Sequence, residues 1–170
     1  MPRARGMAAY IRDGYGPFRQ PKFLCGCYEM LVFGVCGVRQ KNYVFSLYCN
    51  PDLDGRIFYC LLASMAAMQD EDICDSNTFL GALNDHHQEW LGSTTTNYHA
   101  VAASDFTTVS CCDQLDADPS HARGGTLDLL MTDVPDLVQV AVVAPIGNSD
   151  RSSLSAVIRW LSQFQTCVLV

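Results

Sequence analysis

No apolar run in this 170-residue chain approaches the ~18–20 residues that a membrane-crossing helix needs. Nor does the N-terminus look like a secretory signal, because Arg3 and Arg5 have no apolar stretch behind them. These two absences favour an intracellular protein, nuclear or cytoplasmic, over a secreted or membrane one. An evenly spaced cysteine framework is also missing. The nine cysteines (25, 27, 36, 49, 60, 74, 111, 112 and 167) are odd in number and irregular in spacing. Disulfide scaffolds favour an even count and an export signal. Cys25-x-Cys27 and Cys111-Cys112 lack the wider ligand spacing of a zinc site, and no second pair answers the first. Reduced thiols in and near a core are the expectation.

Basic residues are scarce as well. Only 11 Lys and Arg stand against 18 Asp and Glu, a net charge of −7. Seven of the eleven bases fall in residues 1–41 with two acids, giving +5, and residues 42–170 hold four bases and sixteen acids, giving −12. Nucleic-acid surfaces cluster Lys and Arg against phosphates. Only Arg12, Arg19, Lys22, Arg39 and Lys41 offer such a cluster here, and they read equally well as solvated charges between strands. Any affinity for DNA should be weak.

What is present is a folding chain. Half of it is apolar (49%) and 17% is charged, without internal repeats or a low-complexity linker, as expected of one globular domain. Ala8 to Arg12 reads as a short strand broken by Asp13-Gly14-Tyr15-Gly16-Pro17. Tyr28 to Gly34 and Asn42 to Tyr48 are rich in β-branched and aromatic residues, and the Gly37 to Lys41 link predicts an antiparallel hairpin. Asp52 or Asp54 can cap a helix over roughly Gly55 to Gln69. Its stripe is Ile57, Cys60, Leu61, Ser64, Met65 and Met68. Thr78 to Leu83 is a buried strand, with short helices near His86 to Leu91 and Val101 to Cys111. Leu127 to Met131 and Leu137 to Val143 are further strands. In Ser152 to Trp160, Leu154, Ala156 and Ile158 alternate with polar neighbours, as a closing strand should. Residues 159–170 are apolar without a clear period and read as a tail. Strands with interspersed helices point to an α/β sandwich.

Two short signatures stand where strands should end. Gly81-Ala82-Leu83-Asn84 resembles the Gly-Asp-(Phe/Leu)-Asn motif of the endonuclease/exonuclease/phosphatase family, and Ser149-Asp150-Arg151 resembles its Ser-Asp-His. Other pieces arrive in the family's order. Tyr48-Cys49-Asn50-Pro51 is similar to its Tyr-Arg-x-Pro segment, His86 to the His two positions after the first motif, and Ser120-His121 to a Thr/Ser-His pair. Thr126-Leu127-Asp128 is similar to a (Ser/Thr)-x-Asp strand. The wider text, including His86 to Gly92 and Gly124 to Leu130, resembles the endonuclease domain of non-LTR (LINE-like) retrotransposons over roughly residues 7–158.

The resemblance implies a two-sheet α/β sandwich that lacks the family's N-terminal strands, which would carry an Asn and a metal-binding Glu. It implies descent from an endonuclease/reverse transcriptase polyprotein and Mg²⁺-dependent nicking of DNA. By the same resemblance Asp150 would help hold Mg²⁺, Asn84 would position the phosphate or water, and Tyr48 would donate to the phosphate. His86 would belong to the catalytic set, and Thr126 and Asn148 would bind phosphate. Asp128 would orient the His that belongs at position 151, as the acid does in a triad. No small-molecule cofactor and no membrane is implied.

The two departures fall on chemistry. Ala82 removes the carboxylate expected to align or deprotonate water. Arg151 replaces a group that titrates near neutral pH with one that is always protonated. The expectation is an endonuclease-type domain that no longer cuts, with Asp128 paired to Arg151. Three readings stay open on the sequence alone: an active endonuclease, a non-catalytic nucleic-acid-binding module, and an inert remnant.

Overall fold

Pairing across the chain explains why Asn42 to Tyr48 is so apolar: the segment is hydrogen-bonded on both sides. In the computed structural model, residues 18–19, 29–36, 41–49, 56–70, 75–84, 88–91, 95–115, 119–120, 126–145, 152–160 and 163–169 are described. Strands β1 (Phe18–Arg19), β2 (Glu29–Cys36), β3 (Lys41–Tyr48), β4 (Ser76–Ala82), β5 (Asp113–Gln114) and β6 (Asp128–Thr132) form a six-stranded sheet in the order β1-β2-β3-β4-β6-β5. A second sheet holds β7 (Val138–Val143), β8 (Ser153–Trp160) and β9 (Gln163–Leu169) in that order. The expected hairpin is β2–β3, antiparallel from Glu29 against Tyr48 to Cys36 against Lys41.

The pair β3–β4 is parallel. Parallel neighbours need a long crossover, and helix α1 (Arg56–Asp70) supplies it. Its buried face is Ile57, Phe58, Leu61, Ser64 and Met65, close to the expected stripe. Ser64 is tolerated there because its hydroxyl donates to the Cys60 carbonyl at 2.8 Å, so no polar atom is stranded. Helix α2 (Gln88–Leu91) is one turn, and α3 (Tyr98–Val109) is capped by Asn97, whose side chain accepts from the Ala100 N–H.

The sheet's pleat sorts the core into two layers. Tyr43, Phe45, Leu47, Phe79, Leu129 and Met131 face the helices and pack with Ile57, Leu61, Ala103 and Phe106. Phe79 anchors that layer, stacked on Phe45 (centroids 4.6 Å apart) and edge-on to Phe106 (5.0 Å). Residues of opposite parity, Val44, Leu80 and Leu130, face the second sheet and pack with Val138, Ala156 and Ile158. The alternation expected in β8 is therefore real, with Leu154, Ala156 and Ile158 all buried.

Three expectations change. The closing strand is followed by another, since Gln163–Leu169 pairs with β8 from Leu154↔Leu169 to Trp160↔Gln163, where the sequence suggested a tail. Lack of period misleads because backbone pairing, not alternation, defines a ladder. Helix α3 begins three residues before the expected Val101. Its buried residues include His99 and Thr107, which carry no apolar signal. The strands β1 and β5, each two residues long, were not anticipated. The expected strand at Ala8 to Arg12 lies outside the described residues, as do the Asp52 and Asp54 caps. Among the described residues, no helix is long and apolar enough to cross a membrane.

Candidate functional site

Ligands of α/β sheets gather beyond the carboxyl ends of parallel strands, where loops diverge. In this fold that is the end of β3 and β4. Tyr48, the last residue of β3, pairs in register with Ala82, the last of β4. Ala82 pairs in turn with Asp128, the first residue of β6. Three expected site residues from distant parts of the chain thus stand side by side on three adjacent strands. They share the parity of Val44, Leu80 and Leu130, and all three are partly buried.

The backbone explains the glycine and asparagine of the first motif. Gly81 has φ +146°, and a Cβ there would sit 1.8 Å from the Leu47 carbonyl oxygen. Only glycine lets β4 approach β3 so closely. Asn84 takes φ +53°, the left-handed region that asparagine enters more readily than most residues. Its Nδ2 donates to the Cys49 carbonyl at 2.8 Å, while the Cys49 N–H donates to the Ala82 carbonyl at 2.9 Å. The Leu83 and Asn84 N–H groups both donate to the Leu127 carbonyl, at 3.0 and 3.2 Å. The hydrogen bond from Nδ2 to the Cys49 carbonyl orients the Asn84 side chain.

Two further residues, Asn97, which the sequence did not single out, and Ser120, named there only as part of a Ser-His pair, hold this arrangement. Asn97 donates from Nδ2 to the Asn84 carbonyl at 3.3 Å and accepts the Ala100 N–H at 2.8 Å, tying the site to the start of α3. An asparagine after Thr94-Thr95-Thr96 and before an alanine-rich run was the available cap signal. Ser120, fully buried, accepts the N–H groups of Leu127 and Asp128 at 3.0 Å each. Only its place in the Ser-His pair pointed to it.

Thr126, two residues before Asp128, is buried at 6% exposure. His86, Asn148, Asp150 and Arg151 lie outside the described residues, and so does the expected pairing of Asp128 with Arg151. Among the described residues, no three His, Cys, Asp or Glu side chains come together as a cation site would require. Divalent ions of the Mg²⁺ type want several oxygen ligands in near-octahedral array. The described donors do not fit that ion by themselves.

Cys49, Cys60, Cys111 and Cys112 are thiols. A concavity lined by Ser104, Thr107, Thr108 and residues 111–114 opens at the far end of α3. Burial pushes the Cys112 thiol up to about 11, against the Ser110 hydrogen bond that pulls it down. That thiol is not poised for nucleophilic chemistry.

No family model matches the sequence, and no curated protein does. Solved structures do. The chain is similar to the endonuclease domain of TRAS1, a telomere-specific non-LTR retrotransposon, at 16% identity and a TM-score of 0.66, over 84% of this chain and 66% of that one. It spans just under two thirds of that domain's length. The row Tyr48–Ala82–Asp128 therefore sits in a two-sheet α/β fold similar to that of a non-LTR retrotransposon endonuclease domain.

Proposed function

We propose that this chain is a DNA-endonuclease domain of the retrotransposon type in which phosphodiester hydrolysis has been lost. The observation that carries this reading is the row Tyr48–Ala82–Asp128, with Asn84 at its end. The scaffold for a phosphate would be a phenol and a carboxylate on the two strands flanking β4, with an oriented amide two residues past the end of β4. At the centre of that row stands a methyl group.

Hydrolysis needs a water activated by a base and a leaving group helped by an acid. Alanine can neither align nor deprotonate water, and the guanidinium of Arg151 holds its proton throughout the neutral range. A positioned acid–base group contributes roughly 10²–10⁴-fold, so two such losses remove most of the rate. The chemistry of Mg²⁺, which would neutralise the phosphate, falls by this reading to Asp150 rather than to the row. Tyr48 and Asn84 carry groups of the kind that donate to a phosphodiester, and residual, salt-sensitive DNA binding is part of this reading. By descent the domain served a polyprotein with reverse transcriptase, acting where DNA is, in nucleus or cytoplasm.

The test is nicking of a supercoiled plasmid with Mg²⁺, comparing the unaltered chain with Ala82→Asp/Arg151→His. The expected result is no nicking by the unaltered chain and measurable nicking by the double variant. Nicking by the unaltered chain overturns the loss of catalysis. Silence from both, with no salt-dependent DNA binding by either, overturns the endonuclease scaffold in favour of an inert remnant.

A further inference from the structure

We infer that Ser120 is the positioning residue of the site, a buried clamp that fixes Asp128 and Asn84 relative to the start of the second sheet. Ser120 is 0% exposed and uses every acceptor it is seen to use on a different strand start. Its Oγ takes two consecutive amides, those of Leu127 and Asp128, at 3.0 Å each. Its carbonyl takes the Ser152 N–H at 2.8 Å. Ser152 directly precedes β8, whereas Asp128 opens β6 in the other sheet. One residue therefore joins the two sheets at the end where the row lies.

The connection continues beyond the serine. The Leu127 carbonyl, on the residue whose N–H Ser120 holds, accepts both Leu83 N–H and Asn84 N–H. Fixing Leu127 by its donor side fixes the acceptor that holds Asn84 at its left-handed φ. A hydroxyl offers two lone pairs, and spending both on adjacent amides sets the chain direction where β6 begins. Alanine would leave two part-buried N–H groups without that acceptor. Backbone ladders alone do not supply the link, because β6 and β8 belong to different sheets and share no register.

Acting as one unit has a consequence that a merely local bond lacks. The Ser152 amide is held by the Ser120 backbone, which Ser120→Ala leaves in place. If the clamp is a unit, losing the hydroxyl lets the Ser120 backbone move and Ser152 loosens too. That Asp128 and Asn84 face a nucleic acid rests on the function proposed above; the clamp does not.

The experiment is amide hydrogen exchange by NMR. In the unaltered chain, the Leu127, Asp128 and Ser152 amides should share one opening equilibrium, distinct from that of the central β3–β4 ladder. In Ser120→Ala all three should exchange about tenfold faster, the loss of roughly one to two net hydrogen bonds. Ser120→Thr, which keeps the hydroxyl, should restore part of that protection. Unequal openings in the unaltered chain, or a Ser152 amide that Ser120→Ala leaves unmoved, would overturn the clamp. Should Ser120→Ala not fold, the unaltered chain decides alone. Adding a short DNA duplex reads the proposed function separately: no response at Asp128 or Asn84 with the shared opening intact counts against the function and leaves the clamp standing.

Discussion

Asp133 takes both amide donors of Asn77, the backbone N–H and the side-chain Nδ2, each at 2.8 Å and each on a different carboxylate oxygen. The pair spans 56 residues and pins the exit of β6 to the start of β4. Asn77 is almost fully buried, so neither donor can turn to water instead. Its carbonyl is used as well, accepting the Thr132 hydroxyl at 2.9 Å. Asp133→Ala should destabilise the chain by about 1–3 kcal/mol, the cost of stranding buried donors, as read by urea unfolding. A variant as stable as the original would show that Asn77 finds other acceptors.

The same carboxylate gives a pH signature. Burial holds Asp133 above its ordinary 3.8, outweighing the two Asn77 hydrogen bonds that pull it down. The folded chain thus binds this proton more tightly than the unfolded chain. Its contribution to stability is full below about pH 3.8 and falls as the pH rises through the higher folded value. Urea unfolding between about pH 3 and pH 7 should show the original chain losing stability relative to Asp133→Asn as pH rises. The opposite slope of that difference would mean that the hydrogen bonds, not burial, dominate.

Gly81→Ala should be among the most damaging single changes. The added Cβ would meet the Leu47 carbonyl oxygen at 1.8 Å, and backbone cannot rotate away as a side chain can. The φ of +146° adds strain of its own. We expect a loss of at least about 3 kcal/mol, with the melting temperature falling by about 6–12 °C. A small effect would require β3 and β4 to separate at little cost, contrary to their seven-residue pairing from Asn42 to Tyr48.

How much of this was legible in the sequence follows the range of each interaction. β8 could be read because Leu154, Ala156 and Ile158 alternate within one strand. Helix α1 could be read because its stripe repeats every turn. The row Tyr48–Ala82–Asp128 was reached through motif resemblance, and composition alone would not have joined residues 80 positions apart. Links such as Asn77–Asp133 and Ser120–Ser152 leave no local trace in the sequence. β9 failed for a related reason, since its strand character comes from β8. The expected departure at position 82 is visible as a methyl group on the row, whereas position 151 lies outside the described residues.

Asn97 does two jobs that substitution can separate. Its Oδ1 caps α3, and its Nδ2 reaches the Asn84 carbonyl. Asn97→Ala loses both and should cost about 0.5–2 kcal/mol, the usual worth of an N-cap. Asn97→Asp keeps the cap but has no amide to donate. It should unfold near the original midpoint while shifting the NMR resonances of Asn84. Equal stability losses for both variants would show that the Asn84 bond, rather than the cap, carries the energy.

Adjacent Cys111 and Cys112 should differ sharply in reactivity. Cys111 is exposed at the turn after α3, with φ +52°, whereas Cys112 is buried and donates its S–H to the Ser110 carbonyl at 3.7 Å. The thiolate is the reactive form, and a thiol near 11 keeps only about 0.1% of it at pH 8. Alkylation by iodoacetamide followed by peptide mass mapping should therefore mark Cys111 first, and Cys112 only when urea opens the fold. Because the same burial holds Cys112 against the base of α3, Cys112→Ala should speed neither reaction at Cys111 nor nicking by the Ala82→Asp/Arg151→His variant. Labelling of Cys112 in the folded chain at the rate of Cys111 would mean that the end of α3 opens far more readily than its packing through Phe106 allows.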